Sequence, residues 1–184
     1  MTGVADAARR RRSRSKVTDE APTREQLLSY VEAASTVADH SGLHPWRLVE
    51  LRGDDRRVIG RSLSSATGAD EKSTRKAEEK SLRAPLVIAV VSSPVESRKV
   101  PEWEQESVAS GVAHLLSLVL DDEGWGVIWK TGSETRHPVV QAAHGLTGDE
   151  KLLGWLYVGG HGERESKPRR LLDPADFVRP LTAD

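Results

Sequence analysis

The apolar run Leu86–Val91 limits the possible folds of this chain more than any other feature of its sequence. The run is continuous, rich in β-branched residues, and bounded by Pro85 and Pro94. These features are typical of a strand that is buried on both faces. The run is also far too short to span a bilayer, so we expect no membrane segment here.

Helix and strand patterns alternate around this run. Thr23 and Gln26 have the spacing of a capping box, which predicts that a helix begins there. A long helix is predicted over 104–123, where apolar residues form one stripe and Gly124 ends the pattern. The other predicted elements are strands at 46–51, 126–129 and 152–158, two charged helical turns within 54–83, and a short helix over 138–144. Strands interleaved with helices predict an α+β or α/β fold in which helices cover the sheet.

The length and composition of the chain limit the classes of protein to which it can belong. The chain has 184 residues, which fits one domain with one sizeable core. It has no cysteine, which excludes disulfides, thiolate metal sites, iron–sulfur clusters and cysteine nucleophiles. No apolar signal-peptide core follows the N-terminus, so we expect a cytoplasmic protein. We predict a disordered N-terminus over residues 1–8 and a single domain over residues 9–184.

Charge is unevenly spread. Residues 1–16 hold six Arg or Lys and one Asp, a net charge of +5, which leaves −6 for the remainder of a chain whose net charge is −1. The basic segment runs from Arg9 to Lys16. Arginine guanidinium groups and serine hydroxyls suit a phosphate ligand. The alternative is a basic arm that is solvated or that contacts nucleic acid. A nucleic-acid-binding domain is usually basic over a whole face, which the acidic body disfavours.

Three other segments are candidates for chemistry. The segment 39–46 holds His40 and His44, but a helix break precedes it, so the His-x3-His spacing is weak support for a metal. The predicted strand 126–129 runs into Lys130-Thr131-Gly132, a polar turn where backbone amides and a lysine could meet a ligand; an ordinary strand end is the alternative. Lys167-Pro168-Arg169-Arg170 is a basic cluster of the kind that is usually solvated surface. No catalytic triad or phosphate-loop motif is visible.

In this order, the segments of the chain resemble the FMN-dependent nitroreductase family, in particular its small single-domain (YdjA-type) branch. Each motif is weak alone, while the ordered set, over about residues 9–178, is specific. The motifs are Arg11-Arg12-Ser13, residues 21–27, Asp39-His40 with Pro45-Trp46-Arg47, residues 83–86, residues 99–106, Gly124 to Gly132, residues 151–159, and Asp173-Pro174 with Phe177-Val178.

The resemblance implies an α+β, nitroreductase-like fold with a central, mostly antiparallel sheet flanked by helices. It also implies a homodimer that holds FMN at the subunit interface. The cofactor-binding residues that carry over are Arg11, Arg12 and Ser13 at the phosphate and ribityl chain, His40 in the second loop, Lys130, Thr131 and Gly132 at the strand-end turn, and Lys167 and Arg169 as a C-terminal Lys-x-Arg element. The branch is expected to receive the nicotinamide at 120–125.

The predicted function is therefore an NAD(P)H-dependent flavin oxidoreductase. It would take electrons from NADH or NADPH and reduce nitro, quinone or similar small acceptors by a ping-pong mechanism. Because the flavin carries the chemistry, no catalytic side chain is predicted, and neither is a metal, a nucleic acid or a membrane partner. The alternative is an FMN-binding storage or sequestering protein with little turnover.

Overall fold

The computed structural model describes residues 3–162 and 172–181. Six helices and five strands lie within these ranges. The helices are α1 (Val4–Arg10), α2 (Arg24–Ala34), α3 (Arg57–Thr67), α4 (Glu71–Ser81), α5 (Glu102–Asp122) and α6 (Pro138–Ala143). The strands are β1 (Val17–Thr18), β2 (Trp46–Arg52), β3 (Leu86–Ser92), β4 (Trp125–Lys130) and β5 (Lys151–His161).

All strand pairs of the sheet are antiparallel, which confirms the predicted α+β architecture. The long strand β5 is its centre, since β1, β3 and β4 all pair with it. β2 pairs with β3 and forms an edge of the sheet within the part of the chain that the structure describes. A parallel bridge between Ser13 and Val127 connects the basic segment to β4.

The prediction that the run at 86–91 is a strand buried on both faces is confirmed. Every residue of β3 is buried. Leu86, Ile88 and Val90 pack in a core with α2 and α5, whereas Val87, Ala89 and Val91 pack in a second core with α3 and α6. Burial of an aliphatic side chain contributes about 1.5–3 kcal/mol, so this strand holds the two helical layers together.

The predicted start of α2 and the predicted apolar stripe of α5 are also confirmed. Thr23 Oγ1 accepts a hydrogen bond from the Gln26 amide, and the Gln26 side chain accepts one from the Thr23 amide, which completes the capping box. In α5 the predicted stripe faces the core, and Gly111 allows the Val37 side chain to approach: a Cβ at Gly111 would lie 2.6 Å from Val37 Cγ2.

The charged region 54–83 forms more structure than the two helical turns predicted for it. α3 and α4 are each 11 residues long, and Gly68 in a left-handed conformation ends α3. A Cβ at Gly60 would clash with the backbone of Ala77 and Glu78, so a glycine is needed where the two helices cross. This close contact and the cap at Asp70 stabilise α4, which has few apolar residues.

At the N-terminus α1 runs across the predicted boundary at residue 8. The division into residues 1–8 and a domain over 9–184 therefore stays a prediction, with a helix now placed across its first boundary. Within the described ranges, no helix combines the length and the apolar character that crossing a membrane requires.

Candidate functional site

Strand β4 connects two of the predicted groups of site residues. Ser13 bridges to Val127, and the Arg14 amide donates to the Val127 carbonyl oxygen at 2.9 Å, so the Arg11-Arg12-Ser13 motif lies beside the first half of β4. Lys130-Thr131-Gly132 leaves the other end of the same strand. Val127 and Thr131 are four positions apart, a span of about 13 Å at roughly 3.3 Å per position. The two groups thus lie at the two ends of one strand segment.

Ion pairs hold the basic segment against the end of α5. Arg10 Nη2 lies 2.9 Å from Asp122 Oδ1, and Arg14 Nε lies 3.8 Å from Asp121 Oδ1. Two acidic residues at a helix C-terminus oppose the helix dipole, and the arginines offset that charge. Arg9 instead pairs with Asp6 inside α1. These three arginines therefore interact with the protein itself.

Arg12 caps helix α1. Its Nη1 donates to the carbonyl oxygens of Arg9 at 2.6 Å, Arg10 at 3.1 Å and Arg11 at 3.0 Å, which are carbonyls that the helix end leaves unpaired. Its Nε is buried and has no hydrogen-bond partner among the residues that the structure describes. Arg11 differs, because its half-buried side chain makes no hydrogen bond or ion pair with residues 3–162 or 172–181. The guanidinium of Arg11 is thus available to a ligand, and the Nε of Arg12 is a buried donor without a partner in these ranges.

A glycine in β5 determines where the turn after β4 lies. β5 contains a bulge opposite Val90 and Val91, and Gly154 at this bulge has a φ of +137°. A Cβ at Gly154 would clash with the Lys130 carbonyl oxygen and would lie 2.7 Å from Trp129 Nε1 and 3.1 Å from Thr131 Cγ2. The turn can lie over β5 only because position 154 lacks a side chain.

Two further contacts fix the same turn. The Trp129 ring packs edge-on against His114 of α5, with ring centroids 5.0 Å apart. The Thr135 hydroxyl donates to the Gly132 carbonyl oxygen at 2.8 Å. The Lys130 side chain makes no ion pair with any residue in the described ranges. The Glu134 carboxylate lies at the same turn, where its Oε2 would be 3.0 Å from a Cβ at Gly132.

His40 lies in a different region, in the loop between α2 and β2. Its Nδ1 is 2.8 Å from Glu104 Oε1 in the first turn of α5. Ser41 and His44 both have positive φ, at 69° and 48°, and the Asp39 carboxylate accepts the His44 amide at 2.7 Å. A positive φ costs a non-glycine residue conformational energy, and residues with such strained backbones cluster at functional sites.

The structure brings some of the predicted residues together and separates others. Glu104, beside His40, stands near the start of α5, whereas Asp121, beside Arg14, stands near its end. Glu104 and Asp121 are seventeen positions apart in the helix, a distance of about 25 Å at 1.5 Å per position. His40 is therefore remote from Arg11-Arg12-Ser13 of its own chain. Lys167 and Arg169 lie outside the described residues.

The exposed face of α5 is flanked by two clefts that share Ser107. One, of about 480 Å³, is lined by residues that include Asp39, His40 and Glu104. The other, of about 630 Å³, is lined by Trp103, Glu106, Ser110, Gly111 and His114. Trp103 is 71% exposed, an unusual state for so large an apolar side chain.

Glu104, His114 and Gly154 belong to these regions, although no sequence pattern predicted a role for them there. Glu104 falls in the 99–106 segment that carries the family resemblance, but nothing in that segment marks it as a partner of His40. For metal binding, residues 3–162 and 172–181 contain no group of three or more His, Asp or Glu side chains that could hold an ion.

Solved structures share this fold. A nitroreductase-like family protein from Bacillus cereus superposes with a TM-score of 0.85 at 19% identity, covering 98% of this chain and 97% of that one. A nitroreductase with bound FMN from Bacteroides fragilis superposes with a TM-score of 0.75 at 15% identity, covering 99% and 100% of the two chains. The fold is therefore nitroreductase-like, as the resemblance predicted.

Sequence comparison assigns the family. The Nitroreductase family model matches residues 8–160. The "Putative NAD(P)H nitroreductase YdjA" of Escherichia coli K12 is 36% identical over 171 residues, which cover 91% of this chain and 93% of that protein. A relative from Haemophilus influenzae, named "Putative NAD(P)H nitroreductase", is 30% identical over 172 residues, covering 91% and 94%. The chain belongs to the Nitroreductase family.

Proposed function

We propose that this protein is an FMN-dependent oxidoreductase that takes electrons from NADH or NADPH and reduces nitro, quinone or similar small acceptors by a ping-pong route. Its family and the names of its relatives support an NAD(P)H-dependent reductase. The observation that carries the proposal is the placement of Arg11, whose side chain has no hydrogen-bond or ion-pair partner within residues 3–162 or 172–181, at one end of a strand segment that ends in the Lys130-Thr131-Gly132 turn.

The phosphate end of the proposed site consists of Arg11, Arg12 and Ser13. An anionic group fits these residues, because the Arg11 guanidinium and the buried Nε of Arg12 have no partner in the described part of the chain. Arginine donors form short, charge-assisted hydrogen bonds to phosphate, and the exposed Ser13 hydroxyl adds another donor. Lys167 and Arg169 are proposed to join them.

The ring end of the proposed site is the turn Lys130-Thr131-Gly132. Its backbone amides would offer donors to the ring of a bound flavin, and the positive charge of Lys130 would stabilise the negative charge of a reduced flavin. When bound, FMN supplies the redox chemistry, accepting a hydride at N5 from the nicotinamide and passing electrons to the acceptor. The protein's own task is to bind, orient and charge-balance the ring, which requires no nucleophile or general acid.

We also propose a homodimer in which each flavin site takes residues from both chains. A distance of about 25 Å along α5 separates His40 from the arginines of its own chain, so His40 serves the site of a second copy. The exposed Trp103 and the clefts along α5 support an interface on this face. Light scattering that finds a stable, flavin-loaded monomer would contradict this.

The cofactor proposal is tested first on the purified protein. We expect a yellow protein with about one FMN per chain, released on denaturation, that oxidises NADH or NADPH when an acceptor is added. Binding of FMN without this oxidation would favour the alternative, a storage or sequestering protein. Failure to retain or take up any FMN would overturn the proposal. A cytoplasmic location is proposed with it.

The Arg11→Ala variant tests the phosphate end. A charge-assisted hydrogen bond is worth roughly 1.5–3 kcal/mol, so we expect FMN affinity to fall by about ten- to a hundredfold. Riboflavin lacks the phosphate and should bind to the variant as it does to the wild type. Arg9→Ala is the matched control, since Arg9 pairs with Asp6 on the exposed side of α1. An equal loss in the control would indicate a diffuse basic arm and not a phosphate site.

A further inference from the structure

We propose that Glu104 is a positioning residue for the flavin ring, acting through His40. This inference rests on the proposed function, because it concerns the ring of FMN bound at the site that His40 completes. The Glu104 carboxylate holds Nδ1 of His40 and thereby makes Nε2 the nitrogen that is available to the ring.

The contact between the two residues defines the state of the imidazole. Nδ1 and Glu104 Oε1 are 2.8 Å apart, a normal hydrogen-bond length. An ionised carboxylate can only accept a hydrogen bond, so Nδ1 must carry the proton. Nε2 is then the acceptor in the neutral ring and a second donor in the charged ring. In the ranges 3–162 and 172–181 no other group bonds to His40.

The surroundings of the pair suit a ligand contact. Glu104 is 31% exposed and His40 is 52% exposed, so the carboxylate lies deeper than the ring it holds. Both residues line the cleft of about 480 Å³ beside α5. The ring therefore lies between a supporting carboxylate and open space, an arrangement in which a second residue orients the one that touches the ligand.

The loop that carries His40 is held rigidly on its other side. The Asp39 carboxylate accepts the His44 amide, and the Pro45 carbonyl oxygen accepts the Ser93 amide at 2.9 Å, which anchors the loop to the end of β3. With the backbone fixed in this way, rotation of the imidazole is the main freedom that His40 keeps. The hydrogen bond from Nδ1 to Glu104 removes that freedom.

A double-mutant cycle on the protein of residues 1–184 tests the role of Glu104. The variants are Glu104→Ala, His40→Ala and the double substitution, and the measured quantity is the dissociation constant of FMN and of riboflavin from fluorescence titration. Loss of one neutral hydrogen bond to the ring predicts about a three- to tenfold weakening in each single variant. FMN and riboflavin should be affected equally, because the proposed contact is with the ring. The double variant should bind no more weakly than His40→Ala, since Glu104 acts through His40.

Two further variants separate positioning from loss of charge or folding. Glu104→Gln keeps a carbonyl oxygen that can accept from Nδ1, so it should retain most of the wild-type affinity. Glu102→Gln removes the same charge from the same helical turn but breaks only a surface pair with Lys151, and it should bind flavin like the wild type. Nitrogen-15 NMR of the histidine rings at pH 8 should find His40 protonated at Nδ1 in the wild type and shifted towards Nε2 in Glu104→Ala.

The possible results are distinguishable. Additive effects in the cycle, a loss confined to FMN, or an Nε2-protonated His40 in the wild type would each overturn this inference while leaving the proposed function intact. A wild-type protein that binds neither FMN nor riboflavin would overturn the proposed function, and this inference with it.

Discussion

The indole N–H of Trp155 donates a hydrogen bond to Nε2 of His144 at 2.9 Å, inside the core between β5 and α6. Nδ1 of the same ring lies 2.7 Å from the Val140 carbonyl oxygen and must donate to it. An imidazole that donates at Nδ1 and accepts at Nε2 is neutral. Burial lowers the pKa of His144 below its ordinary value of 6.5, and the hydrogen bond to Val140 offsets only part of that shift. The core is therefore built around an uncharged histidine.

This neutral histidine predicts acid sensitivity. Because the folded pKa of His144 is lowered, the unfolded chain binds more protons than the folded protein below pH 6.5. The contribution of His144 to the free energy of unfolding is therefore complete above that pH and falls as the pH decreases. We expect the free energy of unfolding of the wild type to decrease between pH 7.5 and pH 5. His144→Gln, which cannot titrate, should show a smaller decrease, measured by urea denaturation at each pH. The exposed His161→Gln serves as control and should keep the wild-type pH dependence.

A second acid-sensitive contact acts at lower pH. Arg47 holds Glu150 through two hydrogen bonds, Nε to Oε1 at 2.6 Å and Nη2 to Oε2 at 2.7 Å, and its Nη2 also donates to the Gly145 carbonyl oxygen at 2.9 Å. The hydrogen bonds from Arg47, with smaller contributions from the Thr147 amide and the Ser93 side chain, lower the pKa of Glu150 from 4.5 to about 2. Because this pKa is depressed, the stabilisation is complete above pH 4.5 and is lost as pH falls from there towards 2.

Removal of the Glu150 charge should therefore destabilise the protein at neutral pH. We expect Glu150→Gln to lower the free energy of unfolding at pH 7 by on the order of 2 kcal/mol, since it leaves the half-buried Arg47 without its ion-pair partner. The neighbouring Asp149→Asn, on an exposed residue, should change it by less than about 0.5 kcal/mol. Equal losses in the two variants would mean that the carboxylate of Glu150 has no special role.

The sequence predicts the elements better than it predicts the contacts between them. The β3 run, the capping box at Thr23 and the stripe of α5 are local patterns, and each is confirmed. α3 and α4 are longer than the two helical turns predicted for this region. Their sequence is dominated by charged side chains, and their packing depends on a close crossing at Gly60 that the sequence does not reveal. The pairs His40–Glu104 and Arg10–Asp122 join residues 64 and 112 positions apart, so they depend on tertiary arrangement that no local pattern contains.

In the candidate site, too, the sequence predicts groups of residues but not the contacts that each residue makes. The family resemblance supplied Arg11, Arg12 and Ser13 as one group, but only the structure reveals that Arg12 caps α1 while Arg11 has no partner in the described ranges. The turn at Lys130-Thr131-Gly132 was predicted from its polar residues after a strand. Its support, the bulge at Gly154, lies in another strand and follows from the register of β5 against β3.

Substitution of Gly154 tests that support. Gly154→Ala adds a methyl group that clashes with the Lys130 carbonyl oxygen and forces a side chain onto a φ of +137°. We expect a loss of about 2–4 kcal/mol in the free energy of unfolding and a weaker affinity for both FMN and riboflavin, because the turn must move. Gly148→Ala is the matched control: its φ is also positive, but no atom lies within 4 Å of the added Cβ. It should lose only about 1–2 kcal/mol and keep its flavin affinity. Wild-type flavin binding by folded Gly154→Ala would show that the bulge does not position the turn.

Arg11 and Arg12 should differ in what their loss does to the protein without flavin. The two N–H bonds of Arg12 Nη1 are shared among three carbonyl oxygens at the end of α1, so Arg12→Ala removes a cap as well as a proposed phosphate ligand. We expect this variant to lose about 1 kcal/mol of apoprotein stability, and the α1 amides to exchange faster with solvent. Arg11→Ala removes no side-chain hydrogen bond or ion pair within residues 3–162 or 172–181 and should leave both quantities unchanged. Hydrogen exchange of the two apoproteins, followed by FMN titration, separates the roles. If Arg11→Ala loosens α1 as much as Arg12→Ala does, the two arginines share one structural role, and the weaker FMN binding of either variant is no measure of a phosphate contact.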